Sequence, residues 1–306
     1  ENEMKAVERL DEMTQASSLV ETIEGQSLRC LACAHRCLLK PGRRGICGVR
    51  FNRDGKLMVP QGYVAGAQVD PIEKKPFNHF LPGSDVLTFG MLGCNFHCQF
   101  CQNWFSSQAL RDPCAEESIQ TVRKASAERL VQYALDYGAK AIASSYNEPL
   151  ITAEWAVEIF KLAKEKGLKT AFVSNGYATP EVLEYLRPWL DGYKVDLKSM
   201  QDSEYRKMGG TLQPVLETIQ RAHQLGLWVE VVTLVIPGLN DSSEELWKAG
   251  RFLTSISPDI PWHVTAYHPD YKYNDAPPTP ADTLQRAAEI GQEAGLRYVY
   301  AGNLPG

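Results

Sequence analysis

From residue 85 onward, short apolar runs alternate with amphipathic stretches, and this alternation limits the chain to few architectures. Strands are predicted over 86–89, 140–144, 169–174, 192–195, 228–235, 262–266 and 297–300. Helices are predicted between them, over 127–137, 152–166, 180–186, 214–225, 242–255 and 280–294. Gly138, Gly167, Gly226 and Gly295 close four of these helices, as suits the residue that accepts a left-handed cap. Proline opens several others, where its missing N–H costs little. Strand–helix alternation at this spacing builds a parallel sheet with right-handed crossovers. The expected fold is α/β, a partial (β/α)6 TIM-like barrel over residues 85–306, with ligands at the C-terminal ends of its strands. Residues 1–84 form a separate region: a short polar helix candidate, then a Gly-, Pro- and Cys-rich module and linker.

The apolar fraction of 44% and charged fraction of 23% are those of a globular chain with a sizeable core. No apolar run approaches the ~20 residues of a membrane span. The acidic first residues do not read as a signal peptide, so a cytoplasmic location is expected. A net charge of −5 argues against nucleic acid as the main partner. Residues 29–56 are basic, which offsets the charge of a nearby multi-thiolate site or faces an acidic partner.

Eight cysteines without a secretory signal suggest metal rather than disulfides. Cys94, Cys98 and Cys101 form a Cys-x3-Cys-x2-Cys loop directly after the first barrel strand. Three thiolates this close can each take one corner of a cubane and leave the fourth iron without a protein ligand. Zinc is the alternative, but it seeks four ligands, and His97 has poor reach from inside the loop. Cys30, Cys33, Cys37 and Cys47 form a second group, which fits either a structural zinc or an auxiliary iron–sulfur cluster. His35 can replace one of the four, and Cys114 stands alone.

The loop GCNFHCQFCQNW, placed after the first strand, resembles that of the radical S-adenosylmethionine (SAM) superfamily. The wider text resembles the pyruvate formate-lyase activating enzyme-like branch, and within it the AmmeMemoRadiSam group. The segments carrying that likeness are CLACAHRC, GICGVR, VDPIEKKPFNHFLPG, SYNEP, VDLK, VIPGLND and HVTAYHPDYKY. The resemblance implies a [4Fe-4S] cluster on Cys94, Cys98 and Cys101 whose open iron binds SAM. It also implies an electron donor such as flavodoxin or ferredoxin, and Phe100 at the position that contacts the adenine.

Further correspondences follow from the same resemblance. Glu148, in Tyr146-Asn147-Glu148-Pro149, matches the glutamate that holds the SAM amino group; Tyr146 and Asn147 stand where activating enzymes have two glycines. Ser174 and Asn175 match a Thr-Asn turn, and Asp196 and Lys198 an Asp-Leu-Lys. Activating enzymes place an acidic residue before that turn to help hold a monovalent cation; here Val173 stands there. Lys194 is expected to take over from the cation, pairing with Asp196 and the SAM carboxylate. Val235 is expected against the adenine, and His268 near SAM or substrate.

The function implied is reductive SAM cleavage to a 5′-deoxyadenosyl radical that abstracts hydrogen from a protein or small-molecule substrate. Two alternatives stand beside it: transfer of an aminocarboxypropyl or methyl fragment of SAM, and a non-catalytic metal-binding scaffold.

Overall fold

A computed structural model describes residues 2–304; positions 1, 305 and 306 of the expected domain bounds lie outside the described residues. Its largest sheet has eight strands: β1 (Gly66–Pro71), β2 (Asp85–Gly90), β3 (Ala141–Ser144), β4 (Lys169–Ser174), β5 (Gly192–Asp196), β6 (Trp228–Val235), β7 (Trp262–Ala266) and β8 (Val299–Gly302). Their spatial order is the chain order, β1 through β8. β2 to β8 pair in parallel, while β1 runs antiparallel along β2. The crossovers carry α1 (Ala127–Asp136), α2 (Ala153–Glu165), α3 (Pro180–Leu186), α4 (Gln213–Gln224), α5 (Ser243–Ile256) and α6 (Ala281–Glu293). This is the expected partial barrel of six strand–helix units, with one further strand at its open edge.

Local chemistry explains the boundaries. Ser126, Thr179 and Ser242 each accept a backbone N–H from the first turn of α1, α3 and α5, which satisfies a donor the helix leaves free. The parallel strands are buried on both faces and therefore read as nearly continuous apolar runs. Among the described residues no helix is long and apolar enough to cross a membrane.

The stretch before residue 85 is more ordered than its composition predicts. β1 joins the barrel sheet, so the expected linker is an edge strand. The return from β1 to β2 folds under the barrel: Ile72, Phe77 and Phe80 pack with Val86, Ala141, Ala143 and Ala171 to fill its lower end. The small alanines on β3 and β4 leave room for these larger side chains. Glu230 on β6 fastens this plug, accepting the backbone N–H groups of Asn78 (3.0 Å), His79 (2.8 Å) and Phe80 (3.1 Å).

The cysteine-rich region is built on two small antiparallel sheets, one of Val20–Thr22, Leu28–Cys30 and Leu38–Leu39, the other of Thr14–Ala16, Phe51–Arg53 and Lys56–Pro60. It docks beside the C-terminal end of β4, where Ala34 N–H donates to the Tyr177 carbonyl (2.9 Å) and Cys33 pairs with Ala178.

Candidate functional site

The cysteine loop leaves β2 at the C-terminal end of the barrel and is held from several sides. His35 Nε2 lies 2.9 Å from the Asn95 carbonyl. Arg111 donates to the carbonyls of Phe96 (2.7 Å) and Cys94 (2.8 Å). The Met208 carbonyl accepts His97 N–H, and the Gln99 carbonyl accepts both Lys272 and Tyr273 N–H, each at 2.9 Å. A loop with so many satisfied carbonyls is fixed before any ligand arrives.

Cys94, Cys98 and Cys101 line a cavity of about 680 Å³ that runs down into the barrel lumen. Burial pushes all three thiols up, Cys98 to about 12, with the Lys198 ammonium opposing the rise. These thiols therefore stay protonated until a positive partner such as iron takes the proton's place. His97 turns the other way and stacks over Gly209, where an added Cβ would come within 2.5 Å of its ring.

Below the loop sits Glu148, whose carboxylate accepts from Ser174 Oγ (2.7 Å), Asn175 N–H (2.8 Å) and Leu150 N–H (3.0 Å). Burial outweighs these three donors and raises its carboxyl to about 7. A cationic group beside it would restore the ionised form. Next to it, Asn147 uses its carbonyl oxygen on Met91 N–H (3.0 Å), while its buried Nδ2 has no partner. Asn95, within the cysteine loop, accepts Asn175 Nδ2 on its Oδ1 and likewise carries a buried Nδ2 without a partner. Three thiols on one fixed loop, a carboxylate suited to an amine and an idle amide donor in one cavity fit a metal cluster with an amino-acid ligand.

On β5, Asp196 receives two ammoniums, Lys194 Nζ on one oxygen and Lys198 Nζ on the other at 3.1 Å. Burial alone would raise Asp196, but the two lysines hold it at about 2. The pairing of Lys194 with Asp196 is thus present, and the two lysines leave the trio with an excess positive charge.

Phe100, Ser174 and Asn175 also line the cavity, whereas Val235 and His268 do not. Side chains alternate along a strand, so on β6 Val232 and Leu234 face the lumen, and Val235 lies fully buried outside it. His268 is half exposed and pairs with Asp270 at 2.9 Å. The following segment does approach the site: Tyr271 stacks on Trp104, and Tyr273 meets Phe100 edge-on.

Several lining residues carried little sequence signal. Tyr146 adopts φ +69°, a left-handed conformation unusual outside glycine. Its ring runs beside β2, and Gly90 makes that possible: a Cβ there would come 2.8 Å from Tyr146 Cβ. Lys75, His263 and Tyr300 reach the cavity from the plug and from β7 and β8. They share that surface because the sheet curls, bringing residues of its two edges onto one cavity.

The four N-terminal thiols cluster behind the loop. Cys30 lies near enough to raise Cys33, Cys37 and Cys47, although burial is the larger cause in each case. Cys30 Sγ itself receives Arg50 Nε at 3.2 Å. Among the described residues no group of three or more His, Cys, Asp or Glu side chains is arranged to hold a single metal ion. A cubane spreads its ligands over separate irons, which is a different geometry.

The sequence profile of the radical SAM superfamily matches residues 89–252. An uncharacterized protein of Methanocaldococcus jannaschii is 38% identical over 288 residues, covering 94% of this chain and 84% of that one. A pyruvate formate-lyase-activating enzyme of Streptococcus mutans is 25% identical over 228 residues, covering 68% and 85%. Among solved structures, a radical SAM methyltransferase from Sphaerobacter thermophilus superposes with a TM-score of 0.56 at 13% identity, covering 96% and 78%. Streptococcus suis SuiB superposes at 0.53 and 16%, covering 70% and 48%. The two structural likenesses speak for the fold alone. With the profile spanning more than half the chain, this protein belongs to the radical SAM superfamily and is an enzyme related to the pyruvate formate-lyase activating enzymes.

Proposed function

We propose that the chain carries a [4Fe-4S] cluster on Cys94, Cys98 and Cys101 and reductively cleaves SAM in the cavity below it, for hydrogen abstraction from a substrate. The supporting observation is that the three cysteines, Glu148 and the Asp196 trio open on one cavity. When bound, the cluster supplies the electron that splits the sulfonium into methionine and a 5′-deoxyadenosyl radical.

The protein's own residues orient the cosubstrate. Glu148 accepts the amino group, with Asn147 Nδ2 as an adjacent donor. Lys194 and Lys198 take the carboxylate, with Asp196 holding both ammoniums in place. Phe100, Val232 and Leu234 offer the apolar surface for the adenosine. Cys30, Cys33, Cys37 and Cys47 are read as a second metal site set against the back of the loop, an auxiliary cluster in preference to a zinc, because their side chains are not arranged around a single ion.

Anaerobically reconstituted protein, given SAM and dithionite, should release 5′-deoxyadenosine and methionine. Alanine at Cys94, Cys98 or Cys101 should abolish this. Another SAM fragment as product would move the assignment to fragment transfer. No SAM product at all would leave the scaffold reading. Iron, sulfide and zinc analysis of Cys30→Ala tests the second site: unchanged contents would remove it.

A further inference from the structure

Two charged trios of the same composition line the cavity. One is Lys194–Asp196–Lys198 on and after β5. The other lies at its floor, where Asp70 on β1 receives Lys74 Nζ (3.0 Å) and Lys75 Nζ (3.3 Å). Each sets two ammoniums against one carboxylate, so each carries an excess positive charge. Three strands, β2 to β4, separate them in the sheet.

Lys75 is the member of the floor trio that points into the lumen. Its side chain is only 8% exposed, while that of Lys74 is 64% exposed. Its two partners, Asp70 Oδ2 and Tyr146 Oη, are both at 3.3 Å. Charge-assisted N–H···O⁻ contacts usually close to about 2.7–2.9 Å. An ammonium has three donors, so Lys75 keeps unused capacity that bulk water scarcely reaches. The other ionisable groups at the floor are engaged: Glu73 accepts Gly83 N–H at 2.6 Å, and His263 is bonded to Glu230 at 2.7 Å. A buried, loosely paired cation is costly unless an anion completes it.

SAM has a single carboxylate, which the β5 trio takes on the reading proposed above, and the present inference rests on that reading. We propose that Lys75, backed by Tyr146, is the anchor for an anionic group of the substrate, a carboxylate or a phosphate. The plug packs beneath Lys75, and the anionic group is received in the same cavity that the three cysteines line. The occupant is a small anionic molecule, or an extended group ending in the charge.

The test uses the full-length, cluster-loaded protein saturated with SAM, so that the β5 trio is already filled. Inorganic phosphate and malonate are titrated separately by calorimetry. At least one should bind, and which one binds tells phosphate from carboxylate chemistry. Lys75→Met should weaken that binding at least tenfold, and Lys75→Arg should largely keep it. Iron content and far-ultraviolet circular dichroism of each variant identify any that has lost its fold; Lys75→Arg then carries the comparison alongside Asp70→Asn, which frees the ammonium and should tighten binding. If neither anion binds the SAM-saturated wild type, or Lys75→Met binds as the wild type does, the anchor is refuted. Wild-type formation of 5′-deoxyadenosine, measured on the same preparation, shows whether the SAM reading still stands when the anchor fails.

Discussion

The guanidinium of Arg50 forks onto the carboxylate of Glu154, with Nη2–Oε1 at 2.7 Å and Nη1–Oε2 at 2.8 Å, and both side chains are almost fully buried. Arg50 belongs to the cysteine-rich region and Glu154 to α2, so the pair rivets the two together. The same guanidinium reaches the Ile151 carbonyl (3.0 Å) and Cys30 Sγ (3.2 Å). Removing one partner of a buried pair strands the other's charge, at a cost of about 3–5 kcal/mol. Arg50→Met should lower stability by that amount in denaturant titration. Replacing both, Arg50→Met with Glu154→Leu, should recover most of the loss. A double variant no more stable than the single one would show that the pair is not the rivet.

With Glu148 as the acceptor of the SAM amino group, as proposed above, SAM binding should depend on pH. Burial lifts the Glu148 carboxyl from the ordinary value near 4.3 to about 7. Between those values the folded state holds a proton that the unfolded state has released, so Glu148 weakens the ligand-free fold as pH rises through that window. The SAM ammonium pulls the proton off. Binding should therefore release a proton below pH ~7, and affinity should climb with pH until about 7 and then level. Calorimetry in buffers of different ionisation enthalpy reads this directly. Glu148→Gln should flatten the profile and weaken binding roughly tenfold to hundredfold, the scale of one lost charged hydrogen bond.

On the reading proposed above Lys194 takes the place of a bound monovalent cation at the SAM carboxylate; its ammonium sits on Asp196. SAM cleavage should be indifferent to added potassium. Lys194→Met should raise the SAM dissociation constant about tenfold, about 1.4 kcal/mol, and potassium should then partly rescue it. Strong potassium activation of the wild type would rule out this role.

The barrel was legible because its signal is local. Apolar runs of four to eight residues set against helices of period 3.6 place β4, β6, β7 and α3 at the predicted residues. β1 was not, since Gly66–Pro71 is a half-exposed edge strand with no apolar alternation to reveal it. The cysteine loop, Glu148 and the Asp196 trio declare themselves as polar residues at strand ends. Val235 was misplaced by one step of strand parity, which no loop motif specifies. The cavity floor was invisible for a deeper reason: Lys75 meets Tyr146, and Asn78–Phe80 meet Glu230, across 71 to 152 residues of chain.

Glu230 makes that last relationship testable. Besides the three backbone donors of the plug it accepts Trp228 Nε1 (3.0 Å) and His263 Nε2 (2.7 Å). Burial would raise its carboxyl, but His263 and the surrounding N–H groups hold it below the ordinary range. A depressed carboxylate stabilises the fold above the unfolded value near 4.3, and that contribution is lost as pH falls through the folded value. Glu230→Ala leaves several buried donors unsatisfied at about 1–3 kcal/mol each, and should lower stability by on the order of 3–5 kcal/mol. The plug is the segment held by those bonds, so limited proteolysis of the variant should give new cuts between residues 72 and 84 ahead of any in β2 to β8. Glu230→Gln, which keeps one acceptor oxygen, should fall between the two and lose the acid sensitivity. If Glu230→Ala shows wild-type stability and no new cleavage there, the plug is held by its apolar contacts with Val86, Ala141 and Ala171 instead.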